Sequence, residues 1–380
     1  MKSGKNTGLI VFTLAHLGVG GAQKVASLIM NKLIELGYEV AVCCYYPVKE
    51  HVGLSDKVKR VYLFNNAAEY EVSGFQRVPV KLKAIARYRT VLREINPLCI
   101  VSFGPDPLLF PACKLMGYEG KLVCCERGDA NQRNILYKMI TEAEMASSDR
   151  GVFQFDGAMA PYGRSLPDDT RVIPNPCEKN LSTARDSGQL NNEIVGAGRL
   201  VPDKGFDTLI KAFSMIVDMH NVNLVIYGEG PDRERLENLI EVLGIKDRVS
   251  MPGSIPNIAE RAQRARLFVL ASQYEGCPNT LIEAMCAGVP VVASDCSPGG
   301  ARFLTNNGTV GGPLVPIGDS ESMAIAISWM LDNFDKAESL GKAGASLVEA
   351  YPMDRVMDMW ADLFIDLLGA PKLTRKDTGN

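Results

Sequence analysis

Metal-binding spacings are missing from this sequence. No Asp-x-Asp, Cys-x-x-Cys or His-x-x-x-His occurs among its 380 residues, which include only 3 histidines. No set of cation ligands can therefore be read from spacing, and neither a metal nor a cofactor is expected. A strong charge of one sign is also missing. The formal net charge of -3 provides no basic field for nucleic-acid phosphates, which argues against a dedicated nucleic-acid partner. No apolar run is long enough to span a bilayer, and there is no internal repeat or low-complexity tract. Met1 to Thr7 is polar, and the apolar stretch after it is cut by Gly18, Gly20 and Gly21, so no secretory signal is read. The 10 cysteines read as reduced core residues. Cys43-Cys44 and Cys124-Cys125 are neighbours on apparent strands, where adjacent side chains point to opposite faces. A cytoplasmic protein is expected.

What is present is a regular alternation of strand-like and helix-like segments. Leu9 to Ala15 reads as strand, Ala22 to Leu36 as helix and Glu39 to Tyr46 as strand, with further strands near Val58, Cys99, Lys121, Gly151 and Arg171. A polar, aperiodic stretch follows. A second series begins at Glu193, with strands near Leu224, Val249, Leu267 and Val291. The fold class is α/β with parallel sheets, and a chain of this length commonly makes more than one domain. The predicted division is a first domain over 1–177, a linker over 178–192, a second domain over 193–351, a last helix over 352–370 and a disordered tail over 371–380. Trp360 and Phe364 lie on an apolar stripe of that last helix.

Two segments of the second half carry candidate chemistry. In one, Arg266 to Ser272 is a short apolar strand, Gly276 and Pro278 break it, and Thr280 to Ala287 has helical spacing. Glu275 then lies on a loop and Glu283 inside a helix. In open α/β sheets, ligands bind beyond the carboxyl ends of the strands, where helix N-terminal amides attract anions. A phosphate fits on the amides around Asn279 and Thr280, with Glu283 on ribose hydroxyls and Glu275 on sugar hydroxyls. Taken alone, the two glutamates read equally well as solvated surface acids. The other segment, Val195-Gly-Ala-Gly-Arg-Leu-Val-Pro-Asp-Lys-Gly205, runs from a strand end through a loop into a helix and puts Arg199 and Lys204 together. Two fixed cations in a partly dehydrated site stabilise the charge of a departing diphosphate. A dinucleotide fingerprint at Gly196 fails, because Val201 stands where its third glycine belongs.

Through Gly198-Arg-Leu-Val-Pro-Asp-Lys-Gly205, the Glu275 to Glu283 element and Gly20-Gly21, the chain resembles the retaining family 4 glycosyltransferases of GT-B architecture over most of its length. The resemblance implies two facing Rossmann-like domains with a nucleotide-diphosphate sugar in the cleft, and a C-terminal helix crossing back to the N-terminal domain. It implies that Arg199 and Lys204 hold the donor diphosphate, Glu283 the nucleotide ribose and Glu275 the transferred sugar. Ile255, within Pro252 to Pro256, lies where such enzymes hold the base, and Gly20 and Gly21 let backbone approach the donor ahead of a helix start. A UDP-linked hexose or N-acetylhexosamine, metal-independent transfer with retention, and a lipid-linked or surface-polysaccharide acceptor complete the expectation. The alternatives are a sugar-nucleotide epimerase or phosphorylase on the same plan, or a noncatalytic glycan-assembly subunit.

Three positions depart from the family pattern. Gln23 stands where relatives often carry Glu, Phe303 where a Glu often follows Gly299-Gly300-Ala301-Arg302, and Arg127, within Lys121 to Asp129, where many carry a strand-end His. An arginine cannot act as a base, so Arg127 is expected to steady substrate charge. Glu126 and Asp129 are the candidates for orienting or deprotonating an acceptor hydroxyl, with Asp106 behind them and an ion-paired loop as the equal alternative. His16, at a strand end, reads as structural. Arg77 to Arg93 is basic and aliphatic with no acid. It suits an anionic membrane surface as well as it suits a solvated helix, with Leu82, Ile85 and Leu92 facing lipid or the domain. Membrane contact makes the protein peripheral, on the cytoplasmic face of the inner membrane.

Overall fold

The structure, a computed structural model, describes residues 8–18, 20–49, 53–177, 185, 190–255 and 257–370. The chain forms two compact units, Met1–Pro174 with Asp354–Asn380, and Asn175–Met353. The predicted tail over 371–380 lies outside the described residues, as do Val19 of the glycine loop and Pro256 of the base loop. So does the predicted linker, apart from Arg185 and residues 190–192.

In the first unit the order is β1 (Leu9–Leu14), α1 (Gly21–Glu35), β2 (Glu39–Cys44), β3 (Lys59–Tyr62), α2 (Ala67–Tyr70), α3 (Arg77–Ile95), β4 (Cys99–Phe103), α4 (Leu109–Met116), β5 (Lys121–Cys125), α5 (Ile135–Ala146), β6 (Arg150–Phe153) and β7 (Thr170–Val172). The strands are parallel and ordered β3-β2-β1-β4-β5-β6-β7, with Ile10 level with Val40 on one side and Cys99 on the other. Central β1 is buried along its whole length. This accounts for its run Leu-Ile-Val-Phe-Thr-Leu, since a parallel strand covered on both faces has no solvent side to mark with polar residues.

The second unit contains β8 (Glu193–Ala197), α6 (Phe206–Ser214), β9 (Asn223–Tyr227), α7 (Arg233–Val242), β10 (Val249–Gly253), α8 (Ile258–Ala262), β11 (Leu267–Leu270), α9 (Asn279–Cys286), β12 (Val291–Ser294), α10 (Gly300–Leu304), β13 (Leu314–Val315), α11 (Ser320–Asp332) and α12 (Phe334–Val348). Its parallel sheet is ordered β10-β9-β8-β11-β12-β13. The edge strand β13 has 2 residues, too few for a periodic signal. The chain ends its described course in α13 (Met353–Leu368). From Asp354 on, this helix belongs to the first unit. There Trp360 stacks on Phe364 with ring centres 6.3 Å apart, and the two rings meet Phe103 of β4 at 6.1 Å and Phe12 of β1 at 6.2 Å.

Both sheets are Rossmann-like. Each reverses its strand order beside its first strand, between β1 and β4 and between β8 and β11. Neighbouring crossovers leave in opposite directions there and open a crevice at the strand C-termini.

The expectation of 10 reduced cysteines is corrected at one pair. Cys177 and Cys286, 109 positions apart, are joined by a disulfide, while Cys43, Cys44, Cys99, Cys113, Cys124, Cys125, Cys277 and Cys296 are buried thiols. Pairing is set by tertiary approach, which neither spacing nor apolar neighbours reveal. Here the Cys177 amide donates to the Tyr351 carbonyl (2.9 Å), and the segment lies against α9.

Glu144 on α5 is a fully buried acid outside every motif. Its Oε2 accepts the Asp106 amide at 2.9 Å. Burial, with the charge of Asp106, pushes its carboxyl well above the ordinary range against a hydrogen bond from Ser102. A raised folded-state value means that the unfolded chain gives up this proton first as pH rises. The group's contribution is therefore complete below the ordinary carboxyl range and is lost above it. Glu144→Gln keeps the carbonyl acceptor. Its urea midpoint should exceed that of the parent at about pH 8 and converge on it towards about pH 4. Equal pH slopes in the two proteins would remove this account of Glu144.

Candidate functional site

β8 ends at Ala197, and the chain passes Gly198 and Arg199 into a 3-10 turn, Pro202–Lys204, before α6 begins. β11 ends at Leu270 and leads through Ser272 to Glu275 ahead of α9. Because β8 and β11 are sheet neighbours, these two loops run side by side. The Gln273 amide donates to the Asp203 carbonyl at 2.8 Å, and the Tyr274 hydroxyl donates to the Asp203 carboxylate. Beside them the Lys204 ammonium donates to Glu275 Oε1, which also accepts from Ser272 Oγ at 3.0 Å. The Lys204 and Glu275 side chains remain 22% and 16% exposed. Water thus still reaches the pair, and it is no substantial source of stability.

The approach of the loops depends on two glycines. Gly205 has φ +61°, and a Cβ there would stand 2.1 Å from the Ala271 carbonyl oxygen. A Cβ on Gly300 would stand 2.0 Å from the Gly276 carbonyl oxygen, which fixes the turn just after Glu275. A side chain at either place forces backbone apart.

Arg199 is exposed beside this pair. Among the described residues its guanidinium has no hydrogen bond, yet its charge reaches Tyr274. Burial, helped by Asp203 and opposed by Arg199, pushes the Tyr274 hydroxyl up to about 12. Cys296 lies close by, and burial together with Glu275 pushes its thiol up to about 12. At the head of α9, the Leu281 and Ile282 amides both close on the Pro278 carbonyl at 3.1 Å and no side chain caps the helix. The amides of Asn279 and Thr280 are left without an intrahelical acceptor. Asn175 Nδ2 holds the Asn279 side chain at 2.7 Å and the Cys277 carbonyl at 3.2 Å. Glu283 is half-buried one turn further along α9, and Ile255 is half-buried on the loop after β10.

In the first unit, Glu126 and Asp106 already hold bonds within the fold. Glu126 is 2% exposed and accepts from Arg133 at 2.7 Å, from Tyr162, and from the amides of Arg127 (3.0 Å) and Gly128 (2.8 Å). Burial alone lowers the Arg133 guanidinium, but Glu126 and Tyr162 outweigh it and hold it above its usual value. Glu126 is thus ion-paired with Arg133 within its own loop. Asp106 is likewise occupied, by the hydroxyls of Tyr45 (2.7 Å) and Tyr88 (2.8 Å) and the Leu108 amide (2.8 Å). The Arg127 guanidinium lies 4.3 Å from the Phe103 ring centre and 5.2 Å from that of Trp360, a cation held on aromatic faces. Asp129 Oδ1 caps the following turn through the Asn131 amide (2.9 Å), while its buried Oδ2 has no hydrogen-bond partner among the described residues. Gly20 precedes α1 in an extended conformation, Gly21 begins it, and His16 Nδ1 accepts the Gly18 amide at 3.1 Å. Phe303 on α10 faces Tyr351, ring centres 6.5 Å apart.

The structure therefore joins Lys204 and Glu275 directly, sets Arg199 beside them, and places Asn279, Thr280 and Glu283 on the helix that follows. Sequence reasoning missed Asp203, Tyr274, Ser272 and Cys296. The one available signal was the matched order of Asp203-Lys204 and Tyr274-Glu275, which align only once β8 and β11 are known to be neighbours.

A family model described as Glycosyl transferases group 1 matches residues 183–347. The chain is 32% identical over 360 residues to the lipopolysaccharide core biosynthesis glycosyltransferase LpsD of Rhizobium meliloti, covering 92% of this chain and 96% of that one. It is 38% identical over 199 residues to an exopolysaccharide phosphotransferase of Streptomyces coelicolor, covering 52% of this chain but only 21% of that protein. The crystal structure of Anabaena HepE in complex with UDP and glucose is alike in fold, with a TM-score of 0.72 at 18% identity over 94% of this chain and 99% of that one.

Gly205→Ala should cost about 1–3 kcal/mol in urea unfolding, from the left-handed backbone plus the clash with Ala271. Gly318 has φ +72° with nothing near its Cβ position, so Gly318→Ala isolates the backbone part and should cost less. Equal losses would mean that the crowding at Gly205 is not real.

Proposed function

The chain belongs to the group 1 glycosyl transferases, and from that premise we propose that it moves a hexose or N-acetylhexosamine from a UDP-linked donor to a glycan hydroxyl, with retention and without a metal. The acceptor is a lipid-linked or surface-polysaccharide glycan. The observation that carries the reading is the Lys204–Glu275 pair at the reversal of strand order, with Arg199 beside it. A nucleotide-sugar diphosphate offers both members of that pair a replacement partner. Phosphate oxygens take Lys204 and Arg199, and sugar hydroxyls take Glu275. As the bond from the anomeric carbon to the diphosphate breaks, negative charge grows on the departing oxygen, and fixed cations favour that state over the ground state. The acceptor hydroxyl attacks from the face the diphosphate leaves.

The remaining roles are those the family resemblance implies for these positions. The amides of Asn279 and Thr280 receive a phosphate, Glu283 anchors the ribose, and Ile255 borders the base. In the first unit, Gly20 and Gly21 allow close backbone approach and Arg127 steadies substrate charge. Asp129, whose buried Oδ2 has no hydrogen-bond partner among the described residues, is the carboxylate assigned to orient an acceptor hydroxyl. UDP as carrier draws support from the UDP bound in HepE, and the glycan acceptor from the lipopolysaccharide role named for LpsD.

Lys204→Ala should lower kcat by about 10²–10³-fold, the usual effect of deleting a group that stabilises developing charge. Glu283→Gln should weaken UDP binding by about 10–100-fold in calorimetry, whereas Glu275→Gln should leave UDP affinity unchanged and reduce sugar transfer. Undiminished transfer in Lys204→Ala would sink the site. Nucleotide-sugar turnover that needs no glycan acceptor would replace transfer with epimerisation or phosphorolysis.

A further inference from the structure

The first unit bears an apolar surface that its core does not explain. Phe75, in the 3-10 turn Gly74–Gln76 before α3, Val78 and Leu82, at the start of α3, and Ile135, Leu136 and Met139, at the start of α5, are 60% to 101% exposed. Val78 and Leu82 are four residues apart on α3, and Ile135 and Met139 four apart on α5, so each pair shares one side of its helix. Lys81 of α3 links that helix to α5. Its ammonium donates to the Tyr137 hydroxyl and lies 4.7 Å from the centre of that ring.

Along this stretch of α3 the charge is of one sign. The side of α3 that carries Val78 and Leu82 continues at helical spacing to Arg89 and Arg93, and Lys83 is exposed next to it, with no acid between Arg77 and Arg93. Arg87 is turned inward, 3.5 Å from Glu69 and over the Phe64 ring. Ile85 and Leu92 also pack inward, against the core. Nearby acids are engaged, since Glu71 accepts from Tyr46 and Glu142 lies 3.9 Å from Lys138. A cavity of about 360 Å³ opens at the same place, lined by Tyr70, Glu71, Ser73, Arg77, Val80 and Lys81.

A solvated basic helix needs no exposed Phe, Val and Leu, and an apolar protein interface needs no row of cations. Both features together match an anionic bilayer, where apolar side chains enter the interface and cations sit at headgroup phosphates. We infer that the α3 and α5 starts form a docking face for anionic lipid. The inference deepens the acceptor half of the proposed function. Vesicle binding is visible without any transfer reaction, and no helix among the described residues is long and apolar enough to cross a membrane.

The full chain is floated with vesicles of phosphatidylcholine alone and of phosphatidylcholine containing phosphatidylglycerol. Recovery is expected only with the anionic vesicles, and added salt should reduce it. The triple variant Phe75→Ser/Val78→Ser/Leu82→Ser should lose binding while keeping its urea midpoint and its nucleotide-sugar hydrolysis. Lys83→Gln/Arg93→Gln should weaken binding by about 25-fold, about fivefold for each cation removed near an anionic surface. Equal recovery with both vesicle types, or no recovery with either, overturns the inference. So does a concentration-dependent dimer, seen by light scattering, that the triple variant abolishes, because a second copy then covers the face. Loss of vesicle binding with intact hydrolysis separates this face from the donor site.

Discussion

Everything at the candidate site depends on β8 and β11 being neighbours across the reversal of strand order in the second sheet. These strands are far apart in sequence, and only their parallel pairing brings the loops after them into one crevice. Once side by side, the loops are fastened by backbone and side chain together. Gln273 and Tyr274 both bond to Asp203, while Glu275 meets Lys204. Gly205 and Gly300 matter because they let backbone come close at Ala271 and Gly276. The chemistry thus rests on a topological feature that carries no charge of its own.

Local periodicity made the elements legible, because a buried parallel strand such as β11, Leu-Phe-Val-Leu, and the apolar face of α6, with Phe206, Leu209, Ile210 and Phe213, each announce themselves within a few residues. The loop and helix positions of Glu275 and Glu283 followed from the same signal. Features that need two distant segments were not legible. The Cys177–Cys286 bond, the Tyr274 to Asp203 contact and the stacking of Arg127 on Phe103 and Trp360 all join residues from separate elements. β13 escaped for the opposite reason, since its 2 residues are fewer than one period of alternation.

The two sheets share a plan but use their strand ends differently. In the first unit the polar groups near the strand ends are largely consumed internally. Glu126 accepts from Arg133, Tyr162 and two amides, and Asp106 from two tyrosines and an amide. Their lone pairs are committed, and a substrate hydroxyl would have to displace a bond already made in a buried setting. Asp129 differs, because one oxygen caps a turn and the other, among the described residues, has no hydrogen-bond partner.

The second unit keeps its charges exchangeable. Lys204 and Glu275 are neither fully exposed nor sealed from water. A sealed pair resists losing a partner, because the charge left behind is buried and uncompensated. A fully solvated pair offers a ligand little, because water already satisfies both members. Between these limits, a molecule bringing a diphosphate and hydroxyl groups can replace each partner by a better one. The cation then gains a doubly charged neighbour, and the carboxylate gains donors in place of a single ammonium contact. Ser272 supports the carboxylate on the protein side throughout, since its hydroxyl donates to the same Glu275 oxygen that Lys204 holds. In the proposed donor site the ammonium turns to phosphate, and the Ser272 hydroxyl is the contact that holds Glu275 in place.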